Sequence, residues 1–310
     1  MNTTFFNSNS EISFAYIGND GSLKGKTYQI CYEVTSKSSL PFLETISLDI
    51  NQLLYSDKGY GHKIWYIEGY SSAVVRIDKS KIRVYTDFFS IEAPNSPRGN
   101  IKIISMLDDE SMIGYEKGFI KAVAEQTLEK YLNEKVFLAS YDEKFEVRVF
   151  LMTTPPSNQY IDDSRHISSK ISYCHRNCWG STNPFHGHHS TITFMSSDLV
   201  QNDFYGYSVE RMVKEINDCI LINLSDVVSD SDDELKVKYS DYSGETSISI
   251  QKKHHKHLVI PTDQTSVNGL MQYLIKKNIE LLIKLNIFKI VIYEGGNRGV
   301  TGHVGSYLSK

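Results

Sequence analysis

The strongest constraint on this chain is that its two halves rhyme. "ISFAY" at 12–16 matches "ISYCH" at 171–175, and "LKGKTYQI" at 23–30 matches "FHGHHSTI" at 185–192. "FEVRVFL" at 145–151 matches "FKIVIYE" at 288–294, each preceded by a helix-like segment. Three matches in one order point to a duplicated unit. Each unit reads strand, glycine-containing turn, strand, middle region, helix and closing strand. The join is expected within "TTPPSNQYIDD", residues 153–163, whose paired prolines extend neither a ladder nor a helix. Two domains follow, 1–153 and 160–310, in a chain of 310 residues long enough for each to bury a core.

Short alternating runs such as "KTYQICYEV" and "FKIVIYE" read as strands. Apolar residues return every three or four positions in "SVERMVKEINDCI" and "SVNGLMQYLIKKNIELLIKL", which predicts helices. The class is therefore α+β. The 33 Lys and Arg against 37 Asp and Glu leave no basic excess that would point to nucleic acid or an anionic membrane. The start "MNTTFFNSNSEISF" lacks the pattern of a secretory signal, and no apolar run reaches membrane-spanning length. A soluble cytoplasmic protein is expected. Cys31, Cys174, Cys178 and Cys219 are too scattered for a disulfide framework and read as free thiols.

Chemistry concentrates in "PFHGHHSTITF". Alternate side chains of a strand share a face, so His186 and His188 project together with Gly187 between them. An isolated pair of this kind is more often a solvated strand end. His175 on a pairing strand reverses that balance by supplying a third imidazole, with the fourth tetrahedral position open as in catalytic zinc. His189 points to the opposite face. The first half carries Tyr16, Lys24 and Lys26 at the matching positions, and a protonated lysine has no lone pair to give. Leu151 stands where the second half has Glu294.

Taken in order, His175, Cys178, "HGHH", "HHKHL", "TSVNGLMQYL" and "VIYEGG" resemble the tetrahydropterin synthases of the tunnelling fold. That group holds 6-pyruvoyltetrahydropterin synthase and 6-carboxytetrahydropterin synthase. The resemblance covers residues 168–298 and, faintly, the first half. It implies two tandem tunnelling-fold domains, antiparallel sheets with helices on one face, the first of them degenerate and without metal. It implies Zn2+ on His175, His186 and His188, and a lyase acting on 7,8-dihydroneopterin triphosphate or a related pterin. Glu294 would anchor the pterin by accepting its adjacent N–H donors. Cys178 would be the base and His255 the relay imidazole. Subunits of such proteins join edge strands into barrels, so a homo-oligomer is expected.

Two positions depart from that pattern. His254 stands where the family has the relay aspartate, and Asn268 where a helix start has glutamate. They favour the alternative, a pterin- or purine-binding protein or structural partner without turnover. The acidic run "SDVVSDSDDE" at 225–234 reads as a solvated insertion, and "EGGNRGVTGHVGS" at 294–306 as a mobile tail.

Overall fold

β-branched and aromatic residues at every second position build long ladders in both halves. The computed structural model describes residues 3–36, 50–56, 58–105, 116–135, 146–153, 165–176, 184–197, 203–261, 265–294 and 298–308. The first half runs β1 (Thr3–Ile17), β2 (Leu23–Ser36), β3 (Ile64–Ile67), β4 (Val74–Ile77), β5 (Lys81–Tyr85), β6 (Phe89–Pro94) and β7 (Ile101–Ile104). It closes with helix α1 (Glu116–Lys135) and β8 (Glu146–Thr153). The second half opens on β9 (His166–His175) and β10 (His186–Ser196), then α2 (Asp203–Lys214) and β11 (Cys219–Asn223). It continues through β12 (Val227–Asp230), β13 (Glu234–Asp241), β14 (Gly244–Gln251) and β15 (His257–Ile260). Helix α3 (Val267–Lys284), β16 (Ile287–Glu294) and β17 (Arg298–His303) complete it.

Both halves order their strands alike. One sheet runs β7-β3-β1-β2-β8 and another β15-β11-β9-β10-β16-β17. Matching neighbours also run in matching senses. The pairs β1–β2, β2–β8, β9–β10 and β10–β16 are antiparallel, whereas β1–β3, β3–β7, β9–β11 and β11–β15 are parallel. The sheets are thus mixed rather than purely antiparallel, because long crossovers return the chain to the same end. The remaining strands form one sheet shared by the halves, β12-β13-β14-β6-β5-β4, joined where β14 pairs with β6.

Three apolar clusters follow. Sheet and helix of the first half enclose Phe14, Tyr32, Trp65, Phe119 and Leu128, and those of the second enclose Tyr173, Phe194, Met212, Leu270 and Ile290. The third draws on both, with Ile17, Ile64, Cys174 and Ile220 facing Phe89, Ile91, Leu235 and Ile250 of the shared sheet. The sheet faces turned away from the helices meet at two glycines. A Cβ on Gly187 would lie 2.2 Å from the Cα of Gly25, and one on Gly25 would lie 2.3 Å from the Tyr173 carbonyl oxygen. Backbone contact is the only packing that fits there. Hydrogen bonds stitch the crossing: Gly25 N–H donates to Ser172 Oγ, whose hydroxyl donates to the Gly25 carbonyl, and His189 N–H donates to Thr27 Oγ1.

Several sequence expectations change here. The "VERMVKEINDCI" helix ends at Lys214, and its last residues open β11 instead. Arg298–His303 of the glycine-rich segment form β17, paired along β16, and not a tail, while residues 295–297 lie outside the described residues. Gly302 fits because a Cβ there would fall 2.6 Å from Ile275 of α3. The acidic run becomes a short 3-10 turn and the β12–β13 hairpin, mostly exposed, with Val227 and Glu234 half-buried and Asp226 buried against Arg176. Register also corrects the Leu151–Glu294 match. Ser190 faces Glu294 on β10–β16, and Tyr28, the equivalent of Ser190, faces Thr153 on β2–β8. A slip of two residues keeps every side chain on its face, so alternation alone could not detect it. The proline-rich join beyond Thr153 lies outside the described residues. Cys31, Cys174 and Cys219 are free and buried. No helix among the described residues is long and apolar enough to cross a membrane.

The outer edge of β8 is also covered. Glu125 and Glu129 of α1 accept from the Leu151 and Val149 N–H groups, and Asn133 bonds both the N–H and the carbonyl of Val147. Side chains of a helix thereby replace a neighbouring strand.

Gly25→Ala is expected to cost about 3 kcal/mol or more, because backbone atoms must move to admit the methyl. Gly206→Ala, in α2 with open space around its added Cβ, is expected to gain about 0.5 kcal/mol. Urea denaturation of the two variants checks both signs.

Candidate metal centre

The β9–β10 ladder sets the centre. His186 pairs with His175, Gly187 with Cys174 and His188 with Tyr173, while the first half pairs Lys24 with Tyr16, Gly25 with Ala15 and Lys26 with Phe14. The register therefore places Tyr16, Lys24 and Lys26 where the second half has His175, His186 and His188. Alternation puts Tyr173, His175, His186, His188 and Ser190 on the face covered by α2 and α3. Glu294 joins that face at the end of β16.

The structure brings the imidazoles together. Ring centroids lie 5.0 Å apart for His175–His186 and for His175–His188, and 4.7 Å apart for His186–His188. His175 and His186 are 0% exposed, His188 3% and Glu294 4%. His175 Nδ1 lies 2.6 Å from the Thr265 carbonyl and His186 Nδ1 2.6 Å from the Pro184 carbonyl. A carbonyl only accepts, so both Nδ1 atoms carry the proton and both Nε2 atoms present a lone pair. A carbonyl holding Nδ1 in this way fixes the ring and points its Nε2 lone pair at the space a metal would occupy. His186 Nε2 and His188 Nε2 are 2.8 Å apart. Burial lowers the His175 pKa to about 4. It drives His186 well below the usual histidine range, with further lowering by His62, His188 and His175.

Glu294 faces this cluster. Its Oε1 accepts from the Tyr173 hydroxyl at 3.1 Å and lies 3.5 Å from both His175 Nε2 and His188 Nε2. The nitrogen and carboxylate donors fall into two overlapping triples, each with its ligand atoms within 4.8 Å of one another: His175, His188 and Glu294, and His62, His186 and His188. His188 belongs to both, so the sequence-read set is divided between them. His62 escaped the sequence reading because a lone histidine ahead of a strand in "GYGHKIW" carries no spacing signal.

Thr265 couples the centre to its surroundings. Its hydroxyl donates to the Arg176 carbonyl at 2.9 Å, and the Arg176 guanidinium forks onto the Asp226 carboxylate. Ser266 beside it accepts from Gly269 N–H as the N-cap of α3. The "TSVNG" segment thus supplies a carbonyl to His175, while Asn268 is exposed.

The relay positions lie elsewhere. His255 Nε2 accepts from Leu23 N–H at 3.2 Å, its Nδ1 lies 3.0 Å from the Lys256 carbonyl, and its ring meets Phe88 and Phe89. His254 is exposed beside Phe88. Neither is brought to the imidazole cluster by these contacts. Cys178 lies outside the described residues.

No family model matches the chain, and no curated protein matches it. Among solved structures, 6-pyruvoyltetrahydropterin synthase from Plasmodium vivax is similar at 16% identity and a TM-score of 0.34, covering 46% of this chain and 98% of that one. A catalytic-residue mutant of the same protein gives 16% and 0.33 over the same shares. An uncharacterized protein, WS1659 from Wolinella succinogenes, gives 12% and 0.31, covering 44% of this chain and 97% of that one. At these values the likenesses decide neither the fold family nor the chemistry of this chain.

In the metal-free protein at neutral pH, ring 15N spectra are expected to show His175 and His186 as Nδ1–H tautomers. An Nε2–H signal for either would contradict the carbonyl contacts.

Proposed function

We propose that this chain is a zinc-binding protein of the tetrahydropterin synthase type, built from two tandem tunnelling-fold units, 1–153 and 160–310. Its reaction would be a lyase step on 7,8-dihydroneopterin triphosphate or a related pterin. One observation carries the metal: His175, His186 and His188 converge in a buried cluster, two of them with Nδ1 tied to backbone carbonyls. Neutral imidazoles are the right donors for zinc and add no negative charge that would weaken it as a Lewis acid. Bound there, zinc would supply charge stabilisation for an alkoxide or enediolate of the substrate side chain. The order of motifs from His175 to Glu294 supports the pterin. Tyr173 fixes the Glu294 carboxylate, the acceptor assigned to the pterin N–H edge. Cys178 and His255, with His254 beside it, are the residues assigned to proton movement.

A second reading, binding without turnover, has a specific observation behind it. His255 meets backbone groups through both ring nitrogens, Leu23 N–H and the Lys256 carbonyl, which suits a structural imidazole better than a relay. The near-complete burial of the cluster points the same way, since a catalytic zinc keeps a position open. A homo-oligomer belongs to either reading. Side chains of α1 occupy the outer edge of β8, so joining would use another strand or face.

Elemental analysis of the purified protein is expected to find stoichiometric zinc, lost in His186→Ala with His188→Ala. Protein that never contains metal would defeat the zinc reading. Incubation with 7,8-dihydroneopterin triphosphate and mass analysis of products separates the two readings. New product that disappears in Cys178→Ala supports the lyase. Protection against heat without product supports the binder.

A further inference from the structure

The first half has no imidazoles at its own equivalents of the metal positions, yet it delivers one to the second half's cluster. The His62 ring centroid lies 4.1 Å from that of His186 and 6.2 Å from that of His188. Its ligand atom lies within 4.8 Å of theirs, as close a set as His175, His188 and Glu294. We propose that His62 is itself a metal ligand, so that the centre is assembled from both halves of the chain.

The backbone shows what is general about this position and what is particular. His62 has φ 53°, in the left-handed region that residues with a Cβ seldom adopt. Its N–H donates to the Ser13 carbonyl at 2.8 Å. Ladder register makes Asp218 its counterpart, since Ile64 faces Ala15 and Ile220 faces Cys174. Asp218 has φ 55°, and its N–H donates to the Ser172 carbonyl at 2.6 Å. The twisted entry to β3 and β11 therefore comes with the fold and needs no site to explain it. What differs is the side chain. At this shared position the first half carries an imidazole where the second carries a carboxylate, and the imidazole is the one beside His186.

Chemistry favours ligation over mere packing. His62, His186 and His188 hold their ring nitrogens within 4.8 Å of one another, a spacing that one cation can bridge. A divalent cation turns those crowded lone pairs into attraction. The Tyr55 ring, 4.8 Å from that of His62, also packs against the imidazole. The consequence is a closed centre. His62 takes a coordination position that three histidines would leave for water or substrate, and any substrate reaching the metal must displace it. Metal would also tie the turn entering β3 of the first half to β10 of the second.

This inference rests on the metal reading and not on turnover, and its test separates them. His62→Asn and His62→Gly are the variants to use, because both residues tolerate a left-handed backbone. Zinc affinity of the full chain is read by competition with a chelator, and coordination by the absorption bands of the cobalt(II) form. Zinc affinity is expected to fall at least ~10-fold in both variants, with altered cobalt bands and unchanged melting of the metal-free proteins. A measurement on the unaltered protein needs no variant: zinc is expected to shift the ring 15N resonances of His62. Unaltered zinc affinity and cobalt bands, or a His62 resonance that zinc does not move, would overturn the assignment while leaving the other histidines as ligands. An unaltered protein that takes up neither metal would overturn both.

Discussion

Backbone lies directly on backbone where β2 crosses β10, and most of the architecture follows from that contact. Gly25 and Gly187 occupy the same register position in the two halves, and neither could carry a Cβ without striking the other strand. The close approach turns the two helix-free sheet faces toward each other, and Ser172 and Thr27 satisfy polar backbone that the crossing would otherwise bury. It also leaves a space at the side that the shared sheet fills with Phe89, Ile91, Leu235 and Ile250. The two halves of the chain thus hold separate clusters next to their helices and a common one between them.

The histidine cluster sits at the margin of this crossing. Gly187, which permits the contact, is flanked by His186 and His188, so the residue that joins the halves also positions the imidazoles. The Nδ1 atoms of His186 and His175 are held by carbonyls from two directions, Pro184 in the same segment and Thr265 ahead of α3. The segment that starts a helix therefore also sets the tautomer of a histidine. Burial makes the arrangement consequential, because a neutral imidazole deprived of water keeps its lone pair for whatever cation is present. Glu294 and Tyr173 complete the polar lining on the same face.

Much of this was legible in order and spacing. The period of two in "HGHHSTITF" specifies which histidines share a face, and the matching glycine in "LKGKTYQI" marks the same strand in the first half. In the ladders Tyr16 pairs with Lys24 as His175 pairs with His186, and Phe14 with Lys26 as Tyr173 with His188. Where a shift preserved alternation, pattern was blind, and Thr153 rather than Leu151 corresponds to Glu294. Glycines in 294–306 suggested mobility, but Gly302 is small because α3 presses on β17 there, and Gly299 because β16 does. The motif "HHKHL" placed His255 at a relay position, whereas Leu23 N–H and the Lys256 carbonyl now meet its nitrogens. Spacing says which residues are near in the chain and nothing about which backbone groups meet them in space.

The sequence by itself determined the strands, their faces, the repeated order of elements and the three histidines of one hairpin, because these depend on local periodicity. Only the tertiary structure decided that β6 and β14 would share a sheet, that Glu294 would turn toward the imidazoles, and that His62 would reach them from the other half. Those outcomes depend on contacts between residues more than a hundred positions apart, and no local pattern encodes the crossing at Gly25 and Gly187 that brings them together.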